Sequence, residues 1–205
     1  MMEQKGNILE VDHETIPRRL VIGITGASGA ILGIRMLEVL KPTDIETHLV
    51  LSRVAEQTIV QETDWKIVDV LSLANVCYEF QDVGAAIASG SFTTMGMVII
   101  PCSMKTLSAV ANSYTDELIA RAADVCLKEG RPLVLVIRET PYHPGHIRLM
   151  SEAAHAGAVI FPPTPAFYIQ PQSMDEMINN TVGRILARLG IKNSLYQEWH
   201  GRSTE

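Results

Sequence analysis

Short, continuously apolar runs alternate along this chain with longer stretches in which apolar residues recur every three or four positions. The runs are Leu20–Thr25 (LVIGIT), Thr47–Leu51 (THLVL), Met97–Pro101 (MVIIP), Leu133–Ile137 (LVLVI) and Ala158–Phe161 (AVIF). Strands covered by helices on both faces read as unbroken apolar segments, so these runs predict a parallel sheet. The periodic stretches predict helices over Ala30–Leu40, Ala55–Glu62, Trp65–Ala74, Lys105–Ala111, Thr115–Glu129, Ile147–Ala156 and Met174–Leu189. Ser173 is placed to cap the last of these at its start and Gly190 to close it. Strand–helix alternation with right-handed crossovers gives an open, doubly wound α/β sandwich.

Composition narrows the function classes. With 205 residues, the chain suits one domain around one sheet. Its 17 Lys+Arg against 23 Asp+Glu leave a net charge of −6, with no basic tract of the kind that nucleic-acid binding requires. Cys77, Cys102 and Cys126 lack the spacing of a thiolate metal site or a disulfide framework, which fits a reducing compartment. The first 18 residues carry four acids and no long apolar core, and they read as a flexible extension rather than a targeting segment. The longest apolar stretch, Met95–Cys102, is far short of the ~20 residues of a spanning helix. A soluble, cytoplasmic protein is expected.

Ligands of doubly wound folds bind beyond the carboxyl ends of the strands, so the segments after each strand carry the candidate chemistry. After the first comes Thr25-Gly26-Ala27-Ser28-Gly29-Ala30, which suits close backbone approach and an anion at a helix start. Its G-x-x-G-x-x-G spacing is not the dinucleotide fingerprint. After the second, Ser52-Arg53 stands where an acid would meet a ribose, and a hydroxyl beside a cation suits a phosphate better. Ser52 as a plain helix cap is an equal alternative. Ala88-Ser89-Gly90-Ser91-Phe92 is either a backbone-lined wall or a simple loop. Pro101-Cys102-Ser103-Met104-Lys105-Thr106 again describes an anion or heterocycle site at a helix start, with Cys102 as a buried filler. Arg138-Glu139 sits at the end of the most hydrophobic strand, where charges without partners are costly, and this favours a functional role. His143 and His146 lack a third metal ligand and fit a loop or capping role better, so no metal site is predicted. Pro162-Pro163-Thr164-Pro165 stiffens the approach to Phe167 and Tyr168, holding two rings at low entropic cost.

Taken in order, these segments resemble the flavin prenyltransferase family, the UbiX-like flavoproteins, from about Arg19 to Trp199. The matching strings are TGASGA (Thr25–Ala30), ETHLVLS (Glu46–Ser52), ASGSF (Ala88–Phe92) and PCSMKTLSAV (Pro101–Val110). RAADVCLKEGRPLVL (Arg121–Leu135), RETP (Arg138–Pro141) and PAFYIQPQS (Pro165–Ser173) complete the set. The resemblance implies a Rossmann-like or flavodoxin-like three-layer fold that joins a dimethylallyl group from dimethylallyl monophosphate to N5 and C6 of reduced FMN. It also implies a metal-independent homododecamer with sites between subunits, and a product used by a UbiD-type decarboxylase in ubiquinone or aromatic-acid metabolism. It divides the chain into the extension over 1–18, a flavoprotein domain over 19–190 and a tail over 191–205 packing on a neighbouring subunit.

On this numbering the resemblance puts FMN contacts at Gly26, Ala27, Ser28, Ser52, Ser103, Met104, Lys105, Thr106 and Arg138. It puts prenyl-phosphate contacts at Lys128, Arg138, Tyr168 and Arg184. Ser89, Gly90, Ser91, Arg121 and Trp199 line the pocket, and Ser28, Glu62 and Glu139 are the catalytic candidates. Some relatives carry a Trp just before ASGS, where this chain reads Gln81–Ile87 without one. The alternatives on the same fold are an FMN-dependent cysteine decarboxylase and a non-catalytic flavin carrier of a decarboxylase. The first is disfavoured because PCSMKTLS stands where that family has PASANT, and the second because storage needs no grip on a prenyl phosphate.

Overall fold

The computed structural model describes residues 18–199 and residue 201. The predicted extension lies outside the described residues except for Arg18, which pairs with Asp44 at 2.8 Å. Six parallel strands form one sheet: β1 (Arg19–Ile24), β2 (Glu46–Leu51), β3 (Val76–Tyr78), β4 (Gly96–Cys102), β5 (Leu133–Ile137) and β6 (Val159–Ile160). Their spatial order is β3-β2-β1-β4-β5-β6. The chain builds outward from β1 to β3, then returns to the centre at β4. Loops leaving β1 and β4 therefore diverge to opposite faces, and the gap between them is the switch point where such sheets bind ligands.

Strand residues alternate between two cores, as a period of two demands. Leu20, Ile22 and Ile24 of β1 face α1 (Ala30–Leu40), α2 (Arg53–Glu62), α3 (Ile67–Leu71) and α7 (Met174–Arg188). Val21, Met97, Ile99 and Leu135 face α4 (Met104–Ala111), α5 (Leu118–Lys128) and α6 (Pro144–His155). Burial on both faces explains why β1, β4 and β5 read as solid apolar runs. Helix α1 lies so close to β4 that a Cβ on Gly33 would stand 2.5 Å from the Ile100 carbonyl oxygen.

Several boundaries differ from the sequence expectation for local reasons. β3 was not expected: it is a three-residue edge strand paired on one side only, with no apolar run to mark it. Helix α5 starts at Leu118 rather than Thr115 because the Glu117 carboxylate accepts the N–H groups of Ile119 (2.8 Å) and Ala120 (3.2 Å). Helix α6 starts earlier, at Pro144, a residue pre-set for the first helical position, behind the cap formed by His143. The domain also runs past residue 190. Ile191 is buried in the core, and the Asn193 amide donates to the carbonyls of Gly183 (3.0 Å) and Ile191 (3.1 Å). The first part of the predicted tail thus docks on its own α7, where a Cβ on Gly183 would lie 2.8 Å from that of Leu195. No helix among the described residues is long and apolar enough to cross a membrane.

Candidate active site

The β1–α1 loop is shaped by close contacts. A Cβ on Gly26 would stand 2.3 Å from Val54 Cγ1, so this loop sits directly against the start of α2. Gly29 takes φ +99°, a conformation that favours glycine, and caps α1 without a side chain. The cap comes instead from Glu62, at the far end of α2. Its Oε2 accepts the N–H of Gly29 (2.8 Å) and lies 3.4 Å from the N–H of Ala30. Burial opposes the charge on Glu62, but the Ser28 hydroxyl, these two N–H groups and the charge of Arg138 outweigh it and hold the carboxyl below its ordinary range. The helix start that the sequence offers to a ligand anion is therefore taken by the protein's own carboxylate. That carboxylate lies at the loop that carries Ser28, within the field of Arg138.

Two other helix starts face the same end of the sheet. Ser52 accepts the Ala55 N–H (3.1 Å) at α2, which is the capping alternative noted from sequence. Ser103 accepts the Thr106 N–H (3.3 Å) at α4, and its hydroxyl lies 3.1 Å from that of Thr106. An N-cap serine uses a lone pair for the cap and keeps its O–H as a donor, so each can still meet a phosphate. Met104 follows Ser103 in the first turn of α4, and Ala27 is buried in the β1–α1 loop. Arg138 is exposed just past β5. Glu139, next to it, accepts the N–H of Thr140 at 2.8 Å and makes no contact with Ser28 among the hydrogen bonds of the described residues.

A cleft of about 580 Å³ opens beside these loops, lined by Phe161, Pro162, Tyr168, Asn180, Thr181, Arg184 and Trp199. A smaller one of about 260 Å³ is lined by Ser28, Arg138, Pro163, Pro165 and Met177 and shares Thr181 with the first, so the two adjoin. The rings of Tyr168 and Trp199 meet edge to face at 5.5 Å. Arg184 pairs with no acid among the described residues; its guanidinium lies 5.4 Å from the Tyr196 ring. An unpaired cation and a phenol at an apolar cleft suit a small phosphate ester with a hydrocarbon tail.

The Flavoprotein family matches residues 8–178. The chain is 57% identical over 187 residues to flavin prenyltransferase UbiX of Escherichia coli strain K12, covering 90% of this chain and 99% of that one. The chain belongs to the UbiX-like flavin prenyltransferase family. Among solved structures, AnUbiX (PadA1) in complex with FMN and dimethylallyl pyrophosphate superposes with a TM-score of 0.89 at 48% identity, over 91% of this chain and 99% of that one. The dodecameric FMN-dependent UbiX-like decarboxylase from Escherichia coli O157:H7 gives a TM-score of 0.87 at 44% identity, over 89% and 100%.

One chain does not bring together all the residues expected of a flavin prenyltransferase. Lys128 ends α5 and pairs with Glu129, before the chain enters β5; Arg138 follows only after β5 has crossed the molecule. At ~3.3 Å per residue, a strand of five residues (Leu133–Ile137) sets the two cations on opposite poles of the sheet, roughly 16 Å apart. Ser89, Gly90 and Ser91 are at the Lys128 pole. Arg131 donates to the carbonyls of Gly90 (2.6 Å) and Phe92 (2.9 Å), and a Cβ on Gly90 would stand 2.6 Å from Lys128 Nζ. Arg121 lies in the first turn of α5, on the opposite face of the sheet from Arg184, with Asp124 at 3.5 Å. Lys105 turns toward a separate cleft of about 530 Å³, which it lines with Thr106, Tyr114, Asp116 and Glu117. Glu117 was not singled out from sequence; the only local sign of it is an acid one residue before an apolar helix. Burial raises its carboxyl above the usual range, against the pull of the Ile119 and Ala120 N–H groups and Lys105.

His143 has a capping role here, and two cysteines are core residues. His143 Nδ1 accepts the Gly145 N–H at 3.0 Å, which is the capping role, and its ring centroid lies 3.7 Å from that of His146 with the two planes tilted at 39°. Cys102 is fully buried and burial pushes its thiol up; Cys126 is pushed up to about 12 by the same cause.

The cap formed by Glu62 gives a pH-dependent prediction. Glu62→Gln is expected to lower stability at pH 7 by roughly 0.5–1 kcal/mol, the size of a helix-cap loss reduced by the carboxylate's exposure. Because the folded-state pKa lies below the unfolded value of about 4.3, this contribution is fully present above pH ~4.3. It fades as pH falls through the lower, folded-state value. Urea titrations of both proteins at pH 7 and at successively lower pH would show the gap closing in acid. A gap that is constant with pH would refute the cap's ionic character.

Proposed function

We propose that this protein transfers the dimethylallyl group of dimethylallyl monophosphate to N5 and C6 of reduced FMN. The observation that carries this reading is the cleft where Tyr168 and Arg184, which pairs with no acid among the described residues, adjoin the Ser28–Arg138 pocket. The named activity of relatives at 57% identity and the FMN and dimethylallyl pyrophosphate held by AnUbiX support it. The flavin fits the donor set: the hydroxyls of the capping serines Ser52 and Ser103, the Thr106 hydroxyl and Arg138 suit its phosphate and polar edge, and Gly26 lets the β1–α1 loop pack directly on the start of α2.

Bound reduced FMN supplies the nucleophilic N5 and C6 atoms. The chain's task is to let an allylic C–O bond ionise without water intervening. Arg138, Tyr168 and Arg184 meet the charge that develops on the departing phosphate, and Lys128 of a neighbouring copy completes that set. The proline loop and Trp199 wall the cleft with apolar surface, which keeps water from the carbocation. Ser28 lines the pocket beside Arg138, where its hydroxyl would hydrogen-bond a polar atom of the substrate. Glu139, just past β5, would accept a proton on its carboxylate and return it toward the departing phosphate. In this reading the enzyme works in the cytoplasm as a homododecamer. Its product serves a UbiD-type decarboxylase in ubiquinone or aromatic-acid metabolism.

The test is direct. Purified protein incubated with reduced FMN and dimethylallyl monophosphate should yield an extracted flavin heavier by one five-carbon prenyl unit. Unchanged FMN with release of CO2 from a cysteine-ended substrate would instead favour the cysteine decarboxylase alternative. Unchanged FMN with neither reaction would favour the carrier.

A further inference from the structure

Thr25 directly follows β1 and is 1% exposed, so it reaches no ligand itself. Its hydroxyl donates to the Pro101 carbonyl at 2.7 Å and accepts the Ser103 N–H at 2.8 Å. The Thr25 N–H also donates to Pro101, at 3.2 Å. These bonds stand just where the β1–β4 ladder stops. Its last registered pair is Gly23 with Ile99, and β4 shifts register against β5 between Ile99 and Cys102. Past that point the two strands feed loops that diverge to opposite faces, and the Thr25 side chain bridges the opening as a ladder bond would.

What hangs from the bridge is the candidate site. Three residues beyond Thr25 is Ser28; on the other side, Ser103 carries the capping bond to Thr106 and the start of α4. We propose that Thr25 is a positioning residue that sets the spacing between the Ser28 loop and the Ser103–Thr106 turn, and through it the affinity and placement of the flavin. This rests on the function proposed above. Valine has the shape of threonine without the hydroxyl, so Thr25→Val leaves the packing in place and strands the Ser103 N–H without its acceptor. Serine keeps both bonds.

Thr25→Val is expected to weaken FMN binding about tenfold, read by quenching of flavin fluorescence, for the loss of two buried hydrogen bonds. The Ser103 amide should exchange with deuterium faster while the amides in the middle of α1 and α5 stay protected. In prenyl transfer, kcat should fall more than KM for the prenyl phosphate rises. Thr25→Ser should remain within about threefold of wild type in all three. A folded Thr25→Val protein with wild-type FMN affinity and slow Ser103 exchange overturns the proposal, as does an equal loss in Thr25→Ser. A lower melting temperature with unchanged FMN affinity in the cold also overturns it, since that is stability alone. If Thr25→Val does not fold, Thr25→Ala is read by the same two binding and exchange measurements. Neither measurement needs turnover. A wild type that binds FMN but forms no prenylated flavin therefore refutes the function while leaving the serine–valine contrast readable.

Discussion

Arg184→Ala is expected to lower kcat/KM for prenyl transfer by about 100- to 1,000-fold, the cost of removing one donor from a charge that develops in the transition state. The guanidinium lines the cleft with no acid beside it among the described residues, only the Tyr196 ring at 5.4 Å, so its removal strands no charge there. The change should thus appear in catalysis and not in folding. FMN affinity should hold within about twofold, since a lost rim charge away from the flavin-facing loops costs little. Arg184→Lys should recover only part of the loss, because a point charge cannot grip two phosphate oxygens as the planar fork does. Stopped-flow or mass-spectrometric progress curves, alongside a flavin titration, check both statements. An alanine variant with full kcat/KM would remove Arg184 from the phosphate set.

How far the sequence foresees such a site depends on how local each signal is. Helix α1 and strand β5 match their predicted limits, Ala30–Leu40 and Leu133–Ile137, because solid burial and 3.6-residue periodicity are written in contiguous residues. The capping serines Ser52 and Ser173 are equally legible, since each bonds three residues ahead, whereas the same cap at Ser103 reads from sequence only as part of an anion site. Strand β3 escapes notice because one neighbour and three residues leave no run to see. The Glu62 cap on Gly29 escapes for another reason: 33 residues separate the partners, and only the packing of α2 on α1 brings them together. Thr25 is the extreme case. It reads as one more turn residue, yet its bonds span 76 and 78 positions. Resemblance supplied the roles of Lys128, Tyr168 and Arg184, but no pattern in the chain says that Lys128 lies at the opposite pole from the other two.

That separation leads to the second large effect. If Lys128 and Arg184 grip the same phosphate, they must come from different copies of the chain, because β5 spans the distance between Lys128 and the Arg138 end of the sheet. Lys128→Met and Arg184→Ala should each be nearly inactive as pure proteins. Each keeps the residue that the other lacks. When the two are dissociated, mixed in equal amounts and reassembled, a site is whole only where an intact Lys128 meets an intact Arg184. Random pairing makes that roughly one site in four, so about a quarter of wild-type activity should return. A protein carrying both substitutions, mixed with wild type, should also leave about a quarter of the sites intact, whereas a site built within one chain would leave about half. Native mass spectrometry would show that copies have exchanged before activity is read. Mixed assemblies of the two single variants that stay inactive would place the whole phosphate grip within one chain, and Lys128 would then have to be dropped from it.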